Sequence, residues 1–191
     1  MGKGMAARLV SESAAGTPSR PLHIWNRTPS VCTEFKARFP DASIVICGTP
    51  AAVVAACGVT YSMLSTPEAA EAVFNAKEGT LAGVTAGKAV VDAATLAEAD
   101  HKKMSAAVTA AGGIYLEAPV SGSKGPAETG ALVFLCGGNE ELFTSVAADL
   151  GAMGKASHFL GEVGAGTQAK VREGWDGGRD EGRRAVAVVP Q

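Results

Sequence analysis

Short apolar runs recur along this chain, and almost every one is followed by a polar break and then a helix-forming stretch. Leu22–Trp25, Ser43–Cys47, Val59–Leu64, Lys88–Ala93 and Ile114–Glu117 read as strands. Between them, the Thr28-Pro29 start (with Val31, Phe35 and Phe39 at rough helical spacing), Pro50–Ala56, Glu68–Ala76 and Ala97–Ala111 read as helices. Threonine before proline is a strong start signal, because proline fits the first helical turn, where no amide partner is needed. Pro40-Asp41 and Gly112-Gly113 are the corresponding stops. Strands alternating with helices of this length imply βαβ units and a mostly parallel α/β sheet with flanking helices. The pattern continues with strands Ala131–Cys136 and His158–Leu160 and helices Glu140–Leu150 and Thr167–Glu173, the last stopped by Gly174.

Composition narrows the class further. The chain has 191 residues and is 47% hydrophobic, enough for a packed core. Twenty-four glycines and 5% aromatics favour tight turns and close helix–sheet packing. A net charge of −2 argues against a general nucleic-acid or bilayer surface, and no apolar run has the length of a membrane span. Cys32, Cys47, Cys57 and Cys136 show no ligand spacing and read as reduced, buried small side chains. His23, His101 and His158 share no motif, so no metal site is expected. Met1–Val10 reads as a helix start with Gly2 and Gly4, and Ser11–Pro21 as a polar loop. This N-terminus lacks the apolar core of a secretion signal, so a cytoplasmic location is the default expectation.

The stretch most suggestive of chemistry is Glu117–Gly130, EAPVSGSKGPAETG. Serines and glycines cluster there at the end of a strand, which offers bare N–H groups and hydroxyls to an anion. Pro119 and Pro126 prevent a regular strand from running through it. Ser121, Gly122 and Ser123 are therefore candidates for a small-carboxylate site; a plain tight turn is the other reading. Lys124 reads as solvated and Glu128 as a local cap or pair. Asn26, Arg27 and Thr28 follow a strand without an acidic residue among them, and Arg27 suits a phosphate through charge-assisted bonds; a helix cap with an exposed arginine is the other reading. Met63, Leu64, Ser65 and Thr95 end predicted strands, where ligands of open parallel sheets sit. Packing and capping explain those four equally well. Asp92, at a strand end, reads as structural.

These pieces together resemble the beta-hydroxyacid dehydrogenase family (3-hydroxyisobutyrate dehydrogenase-like), within it the glyoxylate/succinic semialdehyde reductase and NPAC-like branch. The matching residues are Met1–Ala6, Trp25–Thr28, Met63–Ser65, Val91-Asp92 with Thr95, Glu117–Gly130, and Gly164–Gly166 with Lys170. The resemblance implies a Rossmann-like NADP-binding domain over residues 1–162 and the start of an interdomain helix over 163–173; the glycines and dense mixed charge of 174–191 read as a divergent, disordered tail, in which the apolar Ala185–Val189 could still add a strand. The resemblance also implies that the first strand and first two fingerprint glycines are absent, and that an all-helical second domain, which makes the dimer in full-length relatives, is missing. A segment upstream of Met1 could then carry both the strand and a plastid or mitochondrial targeting peptide.

The same resemblance implies residue roles. Gly2, Asn26, Arg27, Thr28, Met63, Leu64, Ser65 and Thr95 would hold NADP, Ser121, Gly122 and Ser123 the substrate carboxylate, and Lys170 would be the general acid. Where relatives carry a serine beside the threonine, this chain has Ala94, and their substrate-binding asparagine falls on Gly174. Two functions stay open. One is an NADPH-dependent reductase of a small carboxylate-bearing aldehyde or keto acid, such as glyoxylate or succinic semialdehyde. The other is a catalytically inactive family member that keeps at most NADP binding or a protein-interaction role.

Overall fold

A computed structural model describes residues 1–13, 21–173 and 186–187. The expected tail over 174–191 lies outside the described residues apart from Val186–Ala187, as does most of the expected loop over 11–21. The N-terminal helix α1 spans Gly2–Ser13, three residues further than the sequence suggested. Strand β1 (Leu22–Ile24), helix α2 (Pro29–Ala37), strand β2 (Ile44–Ile46), helix α3 (Pro50–Ala56) and strand β3 (Val59–Ser62) follow. Helix α4 (Pro67–Asn75), strand β4 (Ala89–Asp92), helix α5 (Glu98–Ala110) and strand β5 (Ile114–Glu117) complete the parallel series. Thr49 and Thr66 cap their helices as the Thr-Pro signal predicts, accepting from Ala52 N–H and Ala69 N–H at 3.2 Å each. Thr28 makes no such bond; Asn26 Oδ1 instead accepts the Thr28 N–H at 2.9 Å, turning the chain into α2.

Past β5 the structure departs from a purely parallel pattern. Strand β6 (Val120–Ser121) and strand β7 (Leu132–Gly138) pair antiparallel, as do β5 and β7. A short helix α6 (Lys124–Thr129) occupies the Ser/Gly stretch, and Gly130 ends it at φ +71°, a left-handed cap that glycine reaches without strain. The single helix predicted over Glu140–Leu150 is two, α7 (Glu140–Ser145) and α8 (Ala147–Met153). Strand β8 (Gly154–Phe159) pairs parallel with β7 and antiparallel with β9 (Val186–Ala187). Helix α9 (Ala165–Glu173) falls in the segment read as a linking helix.

The core is built on both faces of one sheet. Residues alternate across a strand, so Val91 and Leu116 pack with Phe134, Leu150 and Met153, while Val90 and Tyr115 pack with Val54, Phe74, Met104 and Val108. Every residue of β4 is buried, as the apolar run AVV implies for a doubly covered parallel strand. Tyr61 donates to Asp149 Oδ2 at 2.7 Å, tying β3 to α8.

The sheet is in two pieces. One has the strand order β3-β4-β5-β7-β8-β9, and β1 and β2 form a separate parallel pair. Leu22 N–H bonds Ser43 O at 2.8 Å and Ile24 O takes Cys47 N–H at 2.9 Å, so the alternate residue His23 turns its backbone away from β2. Burial and the neighbouring Cys47 raise the Cys57 thiol, while Lys88 and the His23 backbone pull it partly down. On β3, Gly58 O and Ser62 O accept from Ala89 and Ala93 at 2.8 Å, so Val59 and Tyr61 likewise face away from β4. Among the described residues no strand pairs with either edge. Helix α3 packs against both β1 and β3 and spans the two pieces.

Candidate functional site

Parallel register aligns the strand ends. Ser62, Asp92 and Glu117 are direct neighbours across β3, β4 and β5. The residues after them therefore emerge in one row at the carboxyl edge, where open α/β sheets bind ligands. Met63, Leu64 and Ser65 follow β3, Thr95 follows β4, and Ser121, Gly122 and Ser123 follow β5 through the β6 turn.

Lys170 is drawn into that row from α9. Its Nζ donates to Thr95 Oγ1 at 2.6 Å and to the Val120 carbonyl at 2.5 Å. Burial lowers its pKa below the ordinary lysine value. An ammonium has three donors, so one is left to aim at a further acceptor. Lys170, Thr95 and the Val120 backbone are thus brought together, with Ser121 the next residue along β6. Gly122 and Ser123 are exposed beside them, and Gly122 takes φ +131°, where a Cβ would meet Leu132 Cδ2 at 2.9 Å. Lys124 and Glu128 are exposed on α6.

The start of α1 joins the other end of the row. A Cβ on Gly2 would rest 3.7 Å from Met63 Cβ, and one on Gly4 would strike the Ala127 carbonyl carbon at 2.8 Å. Lys3 Nζ lies 3.6 Å from Glu34 Oε2 on α2. Burial raises the Cys32 thiol on that helix, and Asn26 sits at the root of α2 through its bond to the Thr28 N–H. Asn26, Arg27 and Thr28 are exposed there. They stand on the separate β1–β2 pair, linked to the row through α1 and α2 rather than by strand pairing.

Sequence reasoning missed a buried polar group behind this row. Glu117 has no exposed surface, yet its Oε1 accepts the Gly164 and Gly166 N–H groups at 2.8 and 2.7 Å, and its Oε2 accepts the Thr167 hydroxyl at 3.1 Å. His101 Nε2 lies 3.8 Å from Glu117 Oε2, and His101 Nδ1 is 2.7 Å from the Tyr115 hydroxyl. Tyr115 donates to Asp92 Oδ2 at 3.3 Å, and Asp92 Oδ1 accepts the Ala94 N–H at 3.0 Å. Burial raises Glu117, pushes Asp92 up to about 6, and pushes His101 down to about 4. An acidic residue closing an apolar run, Ile114-Tyr115-Leu116-Glu117, was the available signal, since β5 is a central strand. A separate groove between α4 and α5, bordered by Glu71, Phe74, Lys103 and Met104, holds none of the candidate residues. No group of His, Cys, Asp and Glu suited to a metal ion occurs among the described residues, nor does a helix long and apolar enough to cross a membrane.

Strand alternation, two covered sheet faces and an aligned carboxyl edge define a Rossmann-like α/β domain. The family model of the NAD binding domain of 6-phosphogluconate dehydrogenase matches residues 1–164. The chain belongs to that family, within the beta-hydroxyacid dehydrogenase-like superfamily. It is 37% identical over 174 residues to the chloroplastic glyoxylate/succinic semialdehyde reductase 2 of Arabidopsis thaliana, covering 90% of this chain and 45% of that protein. It is 34% identical over 164 residues to the human cytokine-like nuclear factor N-PAC, covering 86% of this chain and 28% of that protein. The solved Mycobacterium tuberculosis 3-hydroxyisobutyrate dehydrogenase with L-serine superposes with a TM-score of 0.77 at 26% identity, over 90% of this chain and 54% of that one. Psf3 in complex with NADP+ and 2-OPP superposes with a TM-score of 0.80 at 24% identity, over 90% and 57%, a likeness of fold. The chain spans about half the length of the Arabidopsis reductases it matches.

Proposed function

We propose that this chain is the cofactor-binding and acid-bearing part of an NADPH-dependent reductase. The reaction is hydride transfer between NADP and a small carboxylate-bearing aldehyde, keto acid or hydroxy acid, such as glyoxylate or succinic semialdehyde. The observation that carries this reading is the Lys170 ammonium, half-buried at the strand-end row and bonded to Thr95 Oγ1 and the Val120 carbonyl.

The residues present fit an NADP. The first turn of α1 has no acidic residue and abuts Met63, so its N–H groups favour a phosphate there. Gly2 would allow the pyrophosphate to approach, Asn26, Arg27 and Thr28 would take the ribose 2′-phosphate, and Met63, Leu64, Ser65 and Thr95 would line the path to the nicotinamide. The cofactor supplies the hydride. Ser121, Gly122 and Ser123 would orient the substrate carboxylate, and Lys170 would give a proton to the carbonyl oxygen as negative charge develops on it. The lowered pKa of Lys170 makes that donation easier than from a solvated lysine. Relatives with NADP+ or reductase activity in their names support the assignment.

A second reading is favoured by one observation, the split between β1 and β3. On that reading the polypeptide keeps at most NADP binding or a protein-interaction role. Fluorescence titration of the 191-residue chain with NADPH and NADH, followed by turnover with glyoxylate and succinic semialdehyde, separates the two. NADPH binding with turnover abolished by Lys170→Ala supports the reductase. NADPH binding without turnover supports the second reading, and no binding of either nucleotide contradicts both in their NADP part.

A further inference from the structure

We propose that Glu117 is a positioning residue: its buried carboxylate anchors the start of α9 and so fixes where the Lys170 ammonium meets the strand ends. The first turn of a helix has N–H groups with no partner inside the helix, and a carboxylate placed there is held by them and by the helix dipole. Glu117 supplies that acceptor from a different element, β5. It takes the N–H groups of Gly164 and Gly166 and the Thr167 hydroxyl, 47 to 50 residues further along the chain. Thr167 and Lys170 are three residues apart, so they share one face of α9, and pinning the first sets the root of the second.

The same stretch of chain grips both ends of this arrangement. Glu117 holds the helix start, and Val120, three residues on, holds the Lys170 ammonium through its carbonyl. Bare backbone permits the fit. A Cβ on Gly137 would stand 2.7 Å from Glu117 Oε1, and one on Gly166 would stand 2.1 Å from the Leu135 carbonyl oxygen. Gly164 takes φ +107°, where a side chain would also meet Glu98. Helix α9 therefore sits directly on β7 with the carboxylate between them. His101 Nε2, buried and without a hydrogen bond among the described residues, closes the far side at 3.8 Å from Oε2.

Its consequence for catalysis rests on Lys170 being the general acid; the anchoring itself does not, and it is read without turnover. Glu117→Ala and Glu117→Gln are compared with the unmodified chain by amide hydrogen exchange over residues 164–170 and by the pH titration of the Lys170 ammonium in NMR. Glu117→Ala is expected to speed exchange at Gly164 and Gly166 by about tenfold or more. It is also expected to move the Lys170 pKa up toward the ordinary lysine value as the side chain leaves its half-buried seat. Glu117→Gln keeps an acceptor oxygen and restores part of both effects. Lys170→Ala leaves Gly164 and Gly166 exchange unchanged. If Glu117→Ala does not fold, Thr167→Val, which deletes one of the three donors, carries the same test with a smaller shift. A Lys170 titration that stays in place in the folded variants overturns the proposal, whatever the chain does with NADPH.

Discussion

The β3–β4–β5–β7–β8 sheet and the β1–β2 pair are built from similar apolar runs, but only the first is a core. In the first, Val91, Leu116, Phe134 and Leu135 have essentially no exposed surface, and helices cover both faces. In the second, Val45 and Ile46 are 40% and 41% exposed, and among the described residues each strand has one partner. The contrast teaches that a run such as Ser-Ile-Val-Ile-Cys becomes a buried strand only when neighbours pair both its edges and cover both its faces. It also divides the candidate site. Lys170, Thr95 and Ser121 stand on the well-packed sheet, whereas Asn26, Arg27 and Thr28 stand on the weakly held pair.

The sharpest way to break this contrast is to cut equally into each part. Phe134→Ala removes a fully buried ring and is expected to cost about 3–5 kcal/mol in urea unfolding. A loss under about 1 kcal/mol would mean that the larger sheet is not the stable unit.

A second prediction concerns the buried groups of the larger sheet. Asp92 has its pKa raised from 3.8 to about 6, so its contribution to stability is present below pH 3.8 and lost as pH rises through 6. Glu117, also raised by burial, acts in the same direction. His101 is lowered from 6.5 to about 4, so its contribution is present above pH 6.5 and lost as pH falls through 4. Between these limits the carboxylates and the imidazole oppose each other. Asp92→Asn should unmask the histidine, with stability falling toward pH 4 by up to about 3 kcal/mol more than in the unmodified chain. Urea midpoints at steps from pH 7 to pH 4 check it; parallel profiles for the two proteins would refute it.

At the other end of the site, Arg27→Ala should weaken NADPH binding about tenfold and leave NADH binding nearly unchanged, since only the former carries the 2′-phosphate. Equal losses for both nucleotides would show that the weak pair contributes shape rather than phosphate recognition. Smallest of all, Val45→Ala on the exposed β2 face should shift stability by no more than about 0.5 kcal/mol. A larger loss would mean that this face is covered in solution.

Much of this contrast was legible in the residues, and the rest depends on distance along the chain. Thr28-Pro29 and Thr66-Pro67 both start helices, as their local signal predicts, but of the two only Thr66 caps with its side chain. The antiparallel return of β7 was not legible, because it is set by pairing with β5, β6 and β8 together. Strand β8 begins at Gly154, four residues earlier than its apolar pattern suggests, where a bare backbone lets Phe134 Cε2 come to 2.8 Å from where a Cβ would stand. Lys170 was named from family resemblance, but its seat on Thr95 and Val120 comes from contacts 75 and 50 residues away. Glu117 was passed over because its partners at 164–167 give no sign in the local sequence.

The proposed function requires one nucleotide to reach from the start of α1 across the strand ends to the seat of Lys170. Mapping NADPH-induced amide shifts by NMR on the 191-residue chain tests this directly. Coordinated shifts at 2–4, 26–28, 63–65 and 93–95 are predicted. Shifts confined to the α4–α5 groove, or none at saturating NADPH, would contradict it.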